Sequence, residues 1–300
     1  MSNSTVAKAI IKKILKPTKT KEGVGASVLR LVGTSEVRNL DPFLLMDHFS
    51  GRLPGGFPDH PHRGFETVSY ILEGTCLHED SKGHSGEIRS GDVQWMTAGK
   101  GIIHAEMPGS SKEDSVGFQL WINLPKEKKM IEPFYQEFES SKIPVIKKDG
   151  VTAKVICGNE WGMEGAIKPN WPVQYVDFTL DKNSNFQKEI PLGWNCFVYV
   201  YEGVLNINGT ELATNSGIVF ENLKHIQLIQ FQAGSVQSKF LFLGGKPIGE
   251  PIVQYGPFVM NTQEEISQAF EDYQSSKNGF EDSKTWKSGI RKLSDDFGDL

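Results

Sequence analysis

Short apolar runs of five to eight residues recur along most of the chain: TVSYIL (67–72), DVQWM (92–96), GFQLWINL (117–124), AKVIC (153–157), VQYVDFTL (173–180), CFVYVY (196–201), HIQLIQF (225–231) and KFLFLGG (239–245). They are rich in Val, Ile, Phe and Tyr, and turn signals such as SKGHSGE (81–87), TAGKG (97–101) and NING (206–209) break the chain between strands. Extended chain alternates its side chains between two faces, so runs of this length and spacing predict many short strands closed into barrels or sandwiches. One segment has a different period. In TQEEISQAFEDYQSSKNG (262–279), Ile266, Ala269, Phe270 and Tyr273 form a helical stripe, Thr262 and Glu265 make a capping box, and Gly279 suits the residue that stops the helix. The last twenty residues are polar and are expected to fray. At the other end, AKAIIKKILK (7–16) reads as an edge strand guarded by lysines or as a basic targeting segment; its lack of Arg favours the strand.

The charged stretch PKEKKMIEP (125–133) reads as a solvated connector between two β-rich halves, 1–134 and 135–300. A weak internal echo relates them: YILEG (70–74) and YVYEG (199–203) share Tyr-x-x-Glu-Gly. That offset places Glu189 and Pro191 where the first half has His60 and His62. Aligning Gly91 with Gly217 places Gln230 and Gln232 opposite His104 and Glu106. On this alignment the second half lacks every candidate ligand, and function concentrates in the first.

Composition narrows the class. With 32 basic against 37 acidic residues the net charge is −5, which argues against direct binding to nucleic acid. No apolar run approaches the roughly 18 residues of a membrane span. Three widely spaced cysteines, Cys76, Cys157 and Cys196, form no disulfide framework and fit a reducing compartment. No secretory signal is visible.

The chemistry lies in two short motifs. DHPHRGFETV (59–68) carries His60 and His62 at i and i+2, on one face of an extended segment, with Glu66 sharing their parity if the extension persists. GKGIIHAEMP (99–108) carries His104 and Glu106 at the same spacing. Three imidazoles and a carboxylate suit iron, manganese, nickel, copper or zinc. Four protein ligands leave an octahedral ion two positions for water, oxygen or substrate, the arrangement of a reactive site. His78, Glu79, Asp80 and His84 read as a solvated hairpin tip, and His225 as structural. Asp47 and His48 follow an apolar run and approach the cavity or serve structure. Phe57, Phe65, Trp95 and Met96 are pocket or core candidates, and Cys76 a buried inert thiol.

HPHRGFETVSYILEG followed by SGDVQWMTAGKGIIHAE resembles the cupin double motif, and specifically the pirin family. GVGASVLRLVG, RNLDPFLLMDHF, QYGPFVMNTQEEISQAFEDYQ and NGFEDSKTWKS extend the likeness over roughly residues 22 to 288. The resemblance implies an all-β fold of two cupin-type antiparallel barrels (a bicupin) with a C-terminal helix: an N-terminal metal-binding domain, 1–134, and a C-terminal one without metal ligands, 135–300. It implies iron (Fe2+/Fe3+, with other divalent transition metals fitting the same set) held by His60, His62, His104 and Glu106, with Glu106 as the catalytic base. Glu66, near the position where cupins generally place a ligand, is an alternative ligand or a neighbour of one. The implied activity is that of a quercetin 2,3-dioxygenase, opening a flavonol ring with O2. The alternative is a redox-sensing transcriptional co-regulator that binds protein partners in the nucleus and cytoplasm, without touching membrane or nucleic acid directly.

Overall fold

The computed structural model describes residues 7–223 and 225–297, and the side chains of these except 295–297. The chain forms two compact units that interleave in sequence. The first comprises Thr18–Asn39, Phe43–Ser140 and the chain from Ile248 onward; the second comprises the N-terminal strands through Pro17, Leu40–Pro42 and Ser141–Pro247. A single cut at 134/135 does not follow this division, because strand pairing crosses it. Phe134–Phe138 pairs with Val93–Thr97 in the first unit, whereas Ile11–Leu15 pairs with Ser216–Phe220 in the second.

In the first unit the strands are β1 (Lys19–Glu22), β2 (Ala26–Val32), β3 (Phe43–Gly51), β4 (Phe57–His62), β5 (Phe65–Glu73), β6 (Thr75–Asp80), β7 (Ser85–Arg89), β8 (Val93–Thr97), β9 (Ile102–Pro108), β10 (Ser115–Asn123) and β11 (Phe134–Phe138). They make a seven-stranded sheet, β11-β8-β5-β10-β3-β2-β1, and a four-stranded sheet, β4-β9-β6-β7. Phe65, Leu44 and Val259 form one apolar cluster and Met96, Ala98 and Ile102 another. Helix α1 (Gln263–Ser275) begins with the expected reciprocal capping box: Glu265 N donates to Thr262 Oγ1, and Thr262 N donates to Glu265 Oε2. Its apolar stripe packs on Ile103, Phe258, Met260 and Phe280. The helix stops before Gly279, since Ser276 adopts the left-handed conformation (φ 55°) and donates to the Asp272 carbonyl. The polar tail is docked: Ser288 donates to Asp59 and Gly289 N to Glu79 Oε2, and residues Ile290–Phe297 form a 3-10 stretch.

The second unit pairs a seven-stranded sheet with a five-stranded one over an aromatic core in which Phe178, Phe186, Phe231 and Phe240 stack at 4.8–5.3 Å. The N-terminal segment is strand, as its lysine-guarded pattern predicts, and Ile11–Leu15 closes one sheet edge. The internal echo has a structural counterpart. Gly74 (φ 74°) and Gly203 (φ 77°) each face a carbonyl, Asp114 O and Gln237 O, that a Cβ would approach to 2.6 and 2.3 Å. Beside them Ser115 Oγ donates to Thr75 O and Ser238 Oγ to Val204 O. Both turns thus require glycine for the same reason.

Candidate metal centre

His60 and His62 lie on β4, an edge strand, which is why Pro58 and Pro61 are tolerated beside them. β9 lies next to it, and His104 pairs directly with His60 across the ladder; a register shift follows between His104 and Glu106. Gly64 makes the turn from β4 to β5 at φ 88°, where a Cβ would meet Val259 O at 2.0 Å. The same turn is fastened by Lys129, whose buried ammonium donates to Gly64 O, Asn123 Oδ1 and Val259 O at 2.6–3.1 Å. The charged stretch 125–133 is therefore not a wholly solvated connector. On the other side of the turn Arg63 donates to Lys100 O, Asp272 Oδ2 and Asn278 O at 2.6–2.8 Å, tying the end of β4 and the approach to β9 to α1.

This framework brings three imidazoles together. Their ring centroids are 4.4 Å (His60–His104), 4.7 Å (His60–His62) and 5.0 Å (His62–His104) apart, and one ligating atom from each lies within 4.8 Å of the others. His60 Nδ1 lies 2.8 Å from Pro58 O, which fixes the proton there and leaves Nε2 as a lone-pair donor. His62 Nδ1 and both ring nitrogens of His104 are buried without a hydrogen-bond partner. Each such atom costs on the order of 1–3 kcal/mol, a cost that a bound cation removes for the nitrogens that ligate it. Burial lowers the pKa of His60, and burial plus neighbouring imidazoles hold His62 and His104 well below the usual range. The rings are neutral at physiological pH, the state in which imidazole binds metals. The chemistry of the donors and their orphaned nitrogens fit a metal ion.

Glu106 stands at the edge of this group, with Oε2 3.9 Å from His104 Nε2. Ser69 Oγ is 2.8 Å from Glu106 Oε1, and Gln119 Nε2 donates to Glu106 Oε2 at 3.3 Å. Glu66 is elsewhere: it has the opposite parity to Ser69 on β5 and accepts from Thr97 Oγ1 at 2.7 Å. The hairpin 78–84 is only partly solvated. His78 and Asp80 are buried, with His78 Nε2 3.1 Å from Glu137 Oε1 and His84 Nδ1 3.1 Å from Asp80 Oδ2. Among the described residues it assembles no three-ligand group. His225 is exposed.

His60 and His62 line a cavity of about 390 Å³. Of the aromatic candidates only Phe57 lines it; Phe65 packs between His62 and Trp121, and Trp95 and Met96 are core. Asp47 lines the cavity, whereas His48 packs on Phe118. Cys76 also reaches it, its thiol pushed well above the usual range by burial and by Glu106. Ser69, Gln119, Trp121, Arg30 and Glu22 are lining residues without a local sequence signal; cross-strand register alone brings them together.

In the second unit the register of Lys188 with Ile229 reproduces that of His60 with His104. The corresponding inward positions are Lys188, Ile190, Ile229 and Phe231, one residue from those given by the repeat offsets; Gln230 and Gln232 point outward. The conclusion drawn from the offsets is unchanged, since none of the four is a usual metal ligand. Lys188 Nζ bonds Glu160 and lies 4.4 Å from the Phe242 ring centre, so this barrel carries a cation of its own.

An all-β chain of two such barrels, one gathering three histidines at the inner end of a cavity, is a bicupin with a candidate metal centre. The chain belongs to the pirin family: the Pirin family model matches residues 25–122 and the Pirin C-terminal cupin domain model residues 175–279. It is 49% identical over 278 residues to Pirin of Homo sapiens, covering 90% of this chain and 93% of that one. Pirin-like protein 2 of Arabidopsis thaliana is 48% identical over 298 residues, covering 96% and 92%. Among solved structures, a quercetin 2,3-dioxygenase from Acinetobacter baumannii superposes with a TM-score of 0.83 at 33% identity, covering 91% of this chain and 99% of that one. The fold is shared with the bacterial pirin YhhW from Escherichia coli, solved in complex with nickel(II), at a TM-score of 0.65 and 22% identity, covering 78% of this chain and 100% of that one.

Proposed function

We propose that this protein is a metal-dependent dioxygenase that opens the ring of a flavonol-type substrate, with iron held by His60, His62, His104 and Glu106. The carrying observation is the convergence of three neutral imidazoles, two of them fully buried with orphaned nitrogens, at the end of a largely apolar cavity. The likeness to a protein named quercetin 2,3-dioxygenase supports the substrate class. Iron bound there would supply Lewis acidity toward a substrate hydroxyl and one-electron chemistry toward O2.

The chain's own residues do the rest. Phe49, Phe57 and Trp121 give a planar ring apolar walls and limit water. Pro58 O fixes the tautomer of His60. Glu106 lines the cavity, and a carboxylate oxygen within hydrogen-bond reach of the substrate hydroxyl accepts its proton. Ser69 and Gln119 hold that carboxylate in place. The test is aerobic incubation of iron-loaded protein with a flavonol. Loss of flavonol absorbance with matching oxygen uptake, abolished by His104→Ala, is the expected result; no oxygen uptake by fully loaded protein overturns the reading.

The co-regulator role has one supporting observation. Arg63, next to His62, ties the metal centre to α1, offering a route by which a change in iron charge would reach the surface. Its test is the affinity of a transcription-factor partner for the reduced and oxidised forms; equal affinities overturn it.

A further inference from the structure

The cavity extends well past the imidazoles, and a line of polar side chains crosses its floor. Ser69 on β5 pairs with Gln119 on β10, Gln119 with Asp47 on β3, and Asp47 with Arg30 on β2, each directly opposite in register. All four line the cavity. Ser69 and Gln119 contact Glu106, so this end of the row belongs to the metal centre. Two and three inter-strand steps of roughly 4.8 Å place the Asp47 and Arg30 backbones about 10 and about 14 Å from that of Ser69, a span suited to a molecule of three rings. Ala26, Val28, Leu45 and Phe49 make the surrounding wall apolar.

At the far end Arg30 donates to both oxygens of buried Asp47 at 2.7 and 2.8 Å and to Glu22 Oε2 at 2.8 Å. These bonds use three of the five guanidinium N–H groups, and each carboxylate oxygen can accept a second bond. A cluster that merely stapled β2 to β3 would be served equally well on the outer face of the sheet. This one faces the cavity.

We propose that Asp47, Arg30 and Glu22 form a distal subsite that binds the hydroxyl groups on the far ring of a neutral, planar aromatic substrate. The proposal rests on the flavonol-type reading of the metal centre. Charge disfavours an anion at the distal end, where two carboxylates, Glu22 and Asp47, face one guanidinium and leave a local excess of one negative charge. A hydroxyl donates to Asp47 and accepts from Arg30. A ligand without that hydroxyl displaces water from Asp47 and offers no donor in return, which is costly for a buried charge.

The experiment is anaerobic titration of the metal-loaded protein, so that binding is read without turnover, by quenching of tryptophan fluorescence. Three probes are used: a flavonol with two far-ring hydroxyls, the same flavonol without them, and one carrying a far-ring carboxylate. The wild type is expected to bind the first at least tenfold more tightly than either of the others. Asp47→Asn reduces the first ratio to about two or less, and Glu22→Gln, at the more exposed mouth, lowers it by a smaller factor if Asp47→Asn does not fold. Equal affinities in the wild type, a ratio unchanged in a folded variant, or no binding of any probe overturns the subsite. Admitting air then separates the two readings: an intact ratio without oxygen uptake defeats the oxygenase and spares the subsite, whereas oxygen uptake with a ratio of one defeats the subsite alone.

Discussion

Ser69→Ala probes the least conspicuous part of the metal centre. Ser69 Oγ sits between Glu106 Oε1 at 2.8 Å and Gln119 Oε1 at 2.6 Å, while the amide of Gln119 holds the other Glu106 oxygen at the longer distance of 3.3 Å. The serine has one proton to donate, and directed at Glu106 it supplies the shorter of the two contacts to the carboxylate. A hydrogen bond to a charged group contributes about 1.5–3 kcal/mol. If Glu106 ligates the metal and this bond is what aims it, removing the hydroxyl should weaken metal binding by about 10- to 100-fold, the usual range for residues that orient a ligand. Competition with a chromophoric chelator, run with nickel(II) to avoid oxidation, reads the affinity directly. The denaturant midpoint of the metal-free protein serves as the folding control. Unchanged affinity in a folded Ser69→Ala protein would refute the reasoning, because Glu106 would then lie outside the coordination sphere or take its position from elsewhere.

Two further perturbations test the physical account. Because His62 and His104 stay neutral in the fold, acidification below pH 6.5 protonates their unfolded counterparts first and favours unfolding. The metal-free protein should lose about 1 kcal/mol for each such group between pH 6.5 and 5.5, the slope approaching about 1.4 kcal/mol per unit at lower pH; His104→Gln should remove one share of that loss, and identical pH dependences would contradict the assignment. Lys188→Met leaves Glu160 buried without its cation and should destabilise the second unit by about 3–5 kcal/mol, an effect largely recovered by also replacing Glu160 with Leu; denaturant unfolding of both variants checks it.

What the sequence disclosed and what it concealed follow from the range of the interactions involved. His60 with His62 and His104 with Glu106 are visible because spacing on a strand fixes which side chains share a face. The capping box at Thr262 is equally local. Ser69, Gln119 and Arg30 carry no such mark: they are single polar residues in three strands, and only inter-strand register aligns them with Asp47. Lys129 hides inside a charge run, and its burial depends on two carbonyls distant in sequence, those of Gly64 and Val259. The offsets between the halves slip by one because turns of different length intervene, so they point to Glu189 where Lys188 faces inward. The interleaving of the units was hidden for a related reason, since nothing local in AKAIIKKILK specifies that its partner strand begins at Ser216.

His60, His62 and His104 are expected to hold one metal ion at the inner end of the cavity. Metal content after iron reconstitution and desalting, compared between wild type and His104→Ala, tests it most directly. One iron per wild-type chain is expected, with a near-complete loss in the variant and the variant still folded. Equal iron in the two proteins, or none in either, would contradict it.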